Sequence, residues 1–416
     1  MTLPTPAVRD RVLSLPSAEL PAYVYDLAAL RGHAAAVRAA LPSSVELYYA
    51  AKANPEPEIL AALGPYVDGY EVSSGGELTH VAKAVPGRPL AFGGPGKTPD
   101  EVTAALETGV ERFHVESAYE LRMLAELARA HAPGRRVAVL PRVNLPVADG
   151  SLAGSSLAMG GRPTPFGMDP AQAVEVVRSL SDGTYPHLEL RGVHAHLASG
   201  LEAAEQVAVA ESVVSWATSL GVRLAEVNVG GGMHVDYGAP ERRFDWAEYG
   251  RGLARLAERH PGLTLRIEPG RALTAYCGWY ATEVLDVKHS HGEEFAVVRG
   301  GTHHLRTPAT KGHDQPCSVL PVDAWPHPWP RPAAGGRRSA MGVPTDEARG
   351  TITVAGQLCT PKDVLARRVP AAGLRAGDRV VFALAGAYAW NISHHDFLMH
   401  PRPGFHFLSA PAESAG

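Results

Sequence analysis

The 416-residue sequence has only three cysteines, Cys277, Cys317 and Cys359. Their odd number and wide spacing fit neither a disulfide framework nor a paired CxxC metal site. No apolar stretch reaches the roughly 18 residues that a membrane span requires, and Met1 to Pro16 carries no apolar signal core. No membrane partner is expected, and the cytoplasm is the expected compartment. Basic runs are missing too: 39 Lys and Arg stand against 43 Asp and Glu, a formal charge of −4. That balance gives no electrostatic footprint for nucleic acid. The sequence has neither an internal repeat nor a low-complexity tract.

What the chain has in excess is glycine and proline, 43 and 35 residues, enriched but below the level of disordered chains. Many tight turns should therefore separate many short elements, and the length suggests two to three domains. From about residue 45, short apolar β-type runs alternate with runs of helical period. The strand candidates are 45–52, 69–73, 89–93, 112–116, 136–143, 189–197, 225–230 and 263–268. Helical stretches follow most of them, as in 118–130, where Leu121, Leu124, Ala125 and Ala128 mark one face. Such alternation implies right-handed crossovers and a parallel sheet, and eight strands is the count of a (β/α)8 TIM barrel in the α/β class. After Cys277 the pattern changes to β-type runs without helical spacing, which predicts a second, all-β domain. The expected division is a barrel over 26–280 and a β domain from 1–25 plus 281–416. An irregular insertion, rich in Pro, Trp, His and Arg, is expected at 307–350.

In such barrels the chemistry sits at the C-terminal strand ends. Those ends bring together Lys52, Glu116, Arg142, His194, His196, Ser199, Gly230-Gly231-Gly232, Glu268, Gly270 and Arg271. A strand-end Lys with a lowered pKa can form a Schiff base with a carbonyl, the usual anchoring of pyridoxal phosphate; a solvated Lys is the plain alternative. The triple glycine lets backbone N–H groups approach an anion, or merely makes a tight turn. Its place after the seventh strand favours phosphate. Glu268 would keep a pyridine nitrogen protonated, or pair with Arg271 on the rim. His194 and His196, two apart on a strand, invite a zinc reading, but no metal is expected.

The sequence resembles the alanine-racemase-fold pyridoxal-phosphate decarboxylases (fold type III), which include diaminopimelate, ornithine and arginine decarboxylases. The resemblance runs through Tyr49-Ala50-Ala51-Lys52-Ala53-Asn54, Glu71-Val72-Ser73-Ser74-Gly75-Gly76, His194-Ala195-His196, Gly230-Gly231-Gly232, Glu268-Pro269-Gly270-Arg271, Leu358-Cys359 and Gly386-Ala387-Tyr388. It implies Lys52 as the Schiff-base lysine, His196 as the ring-stacking residue and Glu268 as the partner of the pyridine nitrogen. Ser199, Gly230 to Gly232, Gly270, Arg271 and Tyr388 would surround the phosphate, with Glu71 and Arg142 near the ring. Cys359 would donate a proton from a second subunit, so the resemblance implies a homodimer with shared active sites. The expected partner is otherwise a small amino-acid substrate.

The departures bear on that substrate. Diaminopimelate decarboxylases usually read Cys-Glu-Ser-Gly-Asp where this chain has Cys359-Thr360-Pro361-Lys362-Asp363, so the Glu for a distal ammonium is missing. The strings around Cys359 and Asn391-Ile392-Ser393-His394-His395-Asp396 look like the siderophore-biosynthesis branch, which decarboxylates a citryl-diaminopropionate type conjugate. Arg306, His303 and His304, with Thr360 and Asp363, are then expected to contact substrate, and Arg331, Arg337 or Arg338 could add positive charge. A diamino-acid decarboxylase, a racemase of the same fold, a zinc hydrolase and a non-catalytic homologue stand as alternatives.

Overall fold

The computed structural model describes residues 3–146, 157–158, 160–334, 350–370 and 373–409. They form two compact units, one of Arg31–Val235 with Arg243–Leu273, the other of Met1–Leu30, Asp236–Arg242 and Thr274–Gly416. In the first unit the alternating pattern yields eight parallel strands: β1 (Val45–Ala50), β2 (Gly69–Val72), β3 (Leu90–Phe92), β4 (Arg112–Val115), β5 (Val137–Pro141), β6 (Leu188–Leu190 and Gly192–His194), β7 (Glu226–Asn228) and β8 (Thr264–Ile267). They pair in the order β6-β5-β4-β3-β2-β1-β8-β7-β6. Closure runs through Arg191, which interrupts β6. Its N–H donates to Val139 O on one side, and its carbonyl accepts from the N–H groups of Ala225 and Glu226 on the other.

The sixth strand was expected to continue to Leu197, but it stops at His194, and Ala198–Ser199 pairs instead with Leu157–Ala158. Elsewhere the turns are abrupt because capping residues stand two positions past the strand ends. After β2, Ser74 Oγ accepts from Glu77 N–H at 3.1 Å, and after β4, Ser117 Oγ accepts from Glu120 N–H at 3.0 Å. A Thr98–Glu101 capping box starts the helix Pro99–Thr108 that follows β3. Each chain reversal leaves the last strand residues on the rim.

The barrel interior is unusually polar at its N-terminal end. Arg112 Nε donates to both carboxylate oxygens of Glu226, at 3.1 and 2.9 Å. Since β4 and β7 are not neighbours, this pair crosses the interior. Arg266, fully buried, lies 3.9 Å from the Tyr48 ring centroid and donates to Glu46 at 2.9 Å. Its Nη1 is 3.7 Å from Glu226, and Arg191 Nε is 3.5 Å from the same carboxylate. Glu226 is thus the anion shared by three guanidiniums. Side chains two apart on a strand share a face, so one step toward the C-terminal ends the same strands present His114, Asn228 and Glu268.

The second unit is predominantly β. Its strands are the N-terminal Ala22–Asp26 and β9 (Gly278–Ser290), β10 (Glu293–Val298), β11 (Cys317–Leu320), β12 (Thr351–Ala355), β13 (Val364–Pro370), β14 (Arg379–Phe382) and β15 (Gly404–Leu408). Six follow the order β11-β14-β9-β10-β12-β13, and Ala22–Asp26 joins β9 antiparallel to β15 parallel. Tyr23 centres this junction, 5.2 Å from the Tyr280 ring and 5.6 Å from Phe405. A helix at Pro6–Ser14 begins the unit. The segment expected to be irregular from 307 contains the helical turn Thr307–Lys311 and strand β11, because Ser318 and Leu320 face inward and the strand pairs with β14. Its stretch 335–349 lies outside the described residues. Among the described residues no helix is long and apolar enough to cross a membrane.

Removing Glu226 takes the shared counter-ion from three guanidiniums, leaving Arg112 only Glu111 and Arg266 only Glu46. Glu226→Ala is expected to lower the unfolding free energy by about 3–5 kcal/mol, measured by urea denaturation against the wild type.

Candidate active site

Lys52 lies not in β1 but in the short turn Ala51–Ala53 that follows it. The turn projects the amine off the rim: its side chain is 47% exposed, whereas that of Glu71, the carboxylate it meets at 2.7 Å, is 5% exposed. Ser73 Oγ donates to Glu71 at 2.8 Å and lies 3.3 Å from the amine. Beneath them Glu77 accepts from Ser73 N–H at 2.6 Å. Burial, reinforced by the Glu71 charge, pushes the Glu77 carboxyl up to about 7.

Across the rim, Arg142 donates to Glu116 at 2.7 Å, and the other Glu116 oxygen accepts from Gly167 N–H at 2.9 Å. Lys97, which the sequence did not single out, is buried against three acceptors: Glu120 at 2.6 Å, Gly94 O at 2.7 Å and His114 O at 2.8 Å. These pairs fix the loops after β3, β4 and β5 around one opening.

The triple glycine follows β7 in a conformation that side chains resist. Gly230 and Gly232 have φ of 71° and 101°, and a Cβ on Gly232 would stand 2.1 Å from Ala198 O. Gly231 N–H donates to His196 Nδ1 at 3.1 Å. That bond leaves the hydrogen of the neutral ring on Nε2. Burial, together with the Arg142 and Lys52 charges, lowers the His196 pKa to about 3, so the imidazole is neutral at physiological pH. Gly270 precedes the short helix Arg271–Thr274, and Ser199 follows the β6 segment, so both belong to the same rim.

Glu268 is buried beside these turns. Asn228 Nδ2 donates to its Oε1 at 2.6 Å, and Asn228 Oδ1 accepts from Gly230 N–H at 2.9 Å. His194 Nε2 lies 3.3 Å from Oε2, and His114 Nε2 lies 3.7 Å from Oε1. The two imidazoles stack with centroids 4.2 Å apart and planes 9° from parallel. β6 ends at His194, so His196 lies beyond the strand, where its Nδ1 meets Gly231 N–H. The donors of His114, His194 and Glu268 all lie within 4.8 Å of one another. Near-parallel rings nevertheless keep their in-plane lone pairs from converging on one ion, which disfavours chelation as the site stands.

The remaining expected residues lie in the β unit. Cys359 is exposed, in a turn that Asp363 holds together. One Asp363 oxygen accepts from Thr302 N–H at 2.6 Å and Thr302 Oγ1 at 2.8 Å, and the other accepts from Leu358 N–H at 2.9 Å. Asp363, expected as a substrate contact, has both oxygens engaged in building the turn. His304, also expected to contact substrate, is buried, with Nδ1 3.2 Å from Tyr280 OH and Nε2 3.0 Å from Pro401 O. His303 is wholly buried beside it. Thr360 sits in the Cys359 turn, its Oγ1 accepting from Lys362 N–H at 3.3 Å. Arg306 is part-exposed and holds His394 Nδ1 at 2.8 Å, and the Tyr388 carbonyl accepts from Thr307 Oγ1. Arg331 is engaged with Asp378 at 3.0 Å, while Arg337 and Arg338 lie outside the described residues.

The family model for the pyridoxal-binding domain of pyridoxal-dependent decarboxylases matches residues 27–275. The chain belongs to that family. It is a decarboxylase, a carbon–carbon lyase, and its cofactor is pyridoxal 5′-phosphate. It is 36% identical to the 2-[(L-alanin-3-ylcarbamoyl)methyl]-2-hydroxybutanedioate decarboxylase of Staphylococcus aureus, over 94% of each chain. It is 30% identical to the diaminopimelate decarboxylase of Vibrio cholerae, over 90% of this chain and 84% of the relative. A crystal structure of Helicobacter pylori diaminopimelate decarboxylase with L-lysine superposes with a TM-score of 0.78 at 23% identity, covering 97% of this chain and 94% of the other. The donor set of the rim fits the cofactor: a half-exposed amine with a buried counter-ion, a neutral imidazole, a buried carboxylate and a glycine turn free of side chains.

The Glu77 carboxyl gives a signed pH effect. Its folded value lies above the ordinary 4.5, so its contribution to stability is full below that pH and is lost as the pH rises through about 7. Glu77→Gln, which resembles the protonated form, should flatten that part of the profile. Thermal melting of both proteins between about pH 4 and 8 reads the difference; parallel profiles would contradict the assignment.

Proposed function

We propose that this decarboxylase acts on an amino-acid conjugate rich in carboxylates, of the diaminopropionate–citrate type used in siderophore assembly, as a cytoplasmic homodimer with shared active sites. The observation that supports the chemistry is the accessible Lys52 amine, held by buried Glu71 on the same rim as Glu268 and the Gly230–Gly232 turn. The substrate class rests on the staphylococcal relative, whose name describes an amino acid amide-linked to a hydroxydicarboxylate. Thr360, where diaminopimelate decarboxylases usually carry Glu, supports the same choice.

In this reading Lys52 holds pyridoxal phosphate through its amine, and the Gly230–Gly232 backbone, Ser199, Arg271 and Tyr388 hold its phosphate. The cofactor supplies an electron sink for the pair left at the α-carbon when carbon dioxide departs. Glu268 would offer its negative charge to the ring nitrogen, and His196, neutral by burial, would serve as the ring-stacking residue without adding a cation beside Lys52. Arg142, neutralised by Glu116, sets the polar wall near the ring. Glu71 keeps the freed Lys52 ammonium in place, ready to return. Cys359 of one copy returns a proton to the α-carbon in the other, and Arg306 offers a cation to the distal carboxylates.

Two measurements test this. Borohydride-fixed pyridoxyl should map to Lys52 by peptide mass, and carbon dioxide release should be far faster from a citryl-diaminopropionate conjugate than from diaminopimelate, ornithine or arginine. Rapid turnover of diaminopimelate would sink the substrate assignment. The shared site has its own test: Lys52→Ala and Cys359→Ala, each nearly inactive alone, should recover about a quarter of wild-type activity when mixed and re-paired at random. Absence of any recovery would place both residues in one chain's site.

A further inference from the structure

The stacked imidazoles at the heart of the barrel belong to no role assigned so far. Both are buried, His114 at 1% and His194 at 4% exposure, and they come from strands β4 and β6, two places apart in the sheet. They meet across the interior, and both turn Nε2 toward Glu268. Neither His114 Nε2 nor His194 Nδ1 has a hydrogen-bond partner. Orphaned buried nitrogens of this kind cost stability unless the arrangement does something else.

Electrostatics fixes their state. Burial lowers both pKa values well below the ordinary imidazole range; His194 faces Arg142, His196, Lys52 and Lys97, and His114 faces His194, Arg266 and Lys97, with Glu268 alone opposing. Neutral imidazoles can donate one hydrogen without carrying charge. With Nδ1 of His194 unpartnered, its hydrogen belongs on Nε2, 3.3 Å from Glu268 Oε2. Asn228 holds the other oxygen. The 3.7 Å separation of His114 Nε2 is too long for a hydrogen bond, so His114 acts through its face, fixing the plane of His194.

We propose that His194, braced by His114, is a positioning residue for Glu268: with Asn228 it clamps the carboxylate so that its charge is directed at the ring nitrogen of the cofactor. This rests on the pyridoxal phosphate reading of the site. Without the clamp Glu268 is free to rotate, and the ring nitrogen loses the fixed anion that keeps it protonated.

The test uses the full-length protein loaded with pyridoxal phosphate labelled with nitrogen-15 in the ring, and reads the nitrogen chemical shift against pH. In His194→Phe, which keeps a flat ring but cannot donate, the ring nitrogen should deprotonate at least about one pH unit lower than in wild type. His194→Gln, which can donate from its amide, should recover most of the shift. His114→Leu, which removes the stacking face, should produce a smaller shift of the same sign, and it carries the comparison should His194→Phe not fold. Identical titrations in wild type, His194→Phe and His114→Leu, each with the cofactor fixed on Lys52, would overturn the inference and leave the functional reading intact. Failure of wild type to carry the cofactor on Lys52 would instead overturn the functional reading.

Discussion

The alternation of side chains along the barrel strands is the constraint on which the site depends. Arg112 and His114 on β4, Glu226 and Asn228 on β7, and Arg266 and Glu268 at β8 are pairs two residues apart, so each lower residue commits the one above it to the barrel interior. The lower members form an ionised layer in which Arg112 and Glu226 neutralise each other across the barrel. The upper members are an imidazole, an amide and a carboxylate. A buried carboxylate such as Glu268 is tolerable only with partners, and the lower layer supplies none of them directly. It supplies instead the register that brings Asn228, His114 and His194 to it.

The two layers also divide the electrostatic work. Arg266 and Arg112 lie beneath the histidines, and Arg266, Lys97 and Arg142 oppose a proton on one or other of them. Each of these cations has its own carboxylate: Glu46 or Glu226 below, Glu120 and Glu116 above. Net charge in the interior is therefore contained in pairs. The exposed amine of Lys52 stands apart, the one of these cations placed to exchange partners, since its Glu71 contact is open to solvent on the lysine side.

Much of this was legible in the sequence and some was not, for physical reasons. The barrel followed from eight apolar runs alternating with runs of helical period, and strand ends pointed to Lys52, Glu268 and the glycine turn. The break at Arg191 was hidden because it keeps β-type hydrogen bonding on both sides and so leaves the apolar pattern intact. His114, Asn228 and Lys97 were missed because nothing in their local sequence marks a polar residue whose partner lies far away along the chain. His114 lies 80 residues before His194 in number, yet stacks on it. Periodicity could have found it: a histidine two positions after an arginine on a short strand must lie on the arginine's side. In the β unit, Asp363 and His304 look like binding residues in sequence, and their hydrogen-bond partners show them supporting a turn and a core.

That contrast bears on how one fold serves relatives with different substrates. Changing Glu268, Asn228 or His194 leaves a buried group without a partner, so the barrel layer resists variation whatever the substrate. The exposed end of the Cys359 turn is under no such restraint. Asp363 fixes its backbone through Leu358 and Thr302, contacts that do not depend on the side chain at 360. A carboxylate there suits a distal ammonium, and a threonine leaves the position uncharged, so substrate charge can be re-specified without disturbing the turn. Arg306 is similarly unburdened, held at one nitrogen by His394 and otherwise part-exposed. The buried residues of the barrel layer are thus locked in place, whereas those proposed to read the substrate stand on a scaffold built by others.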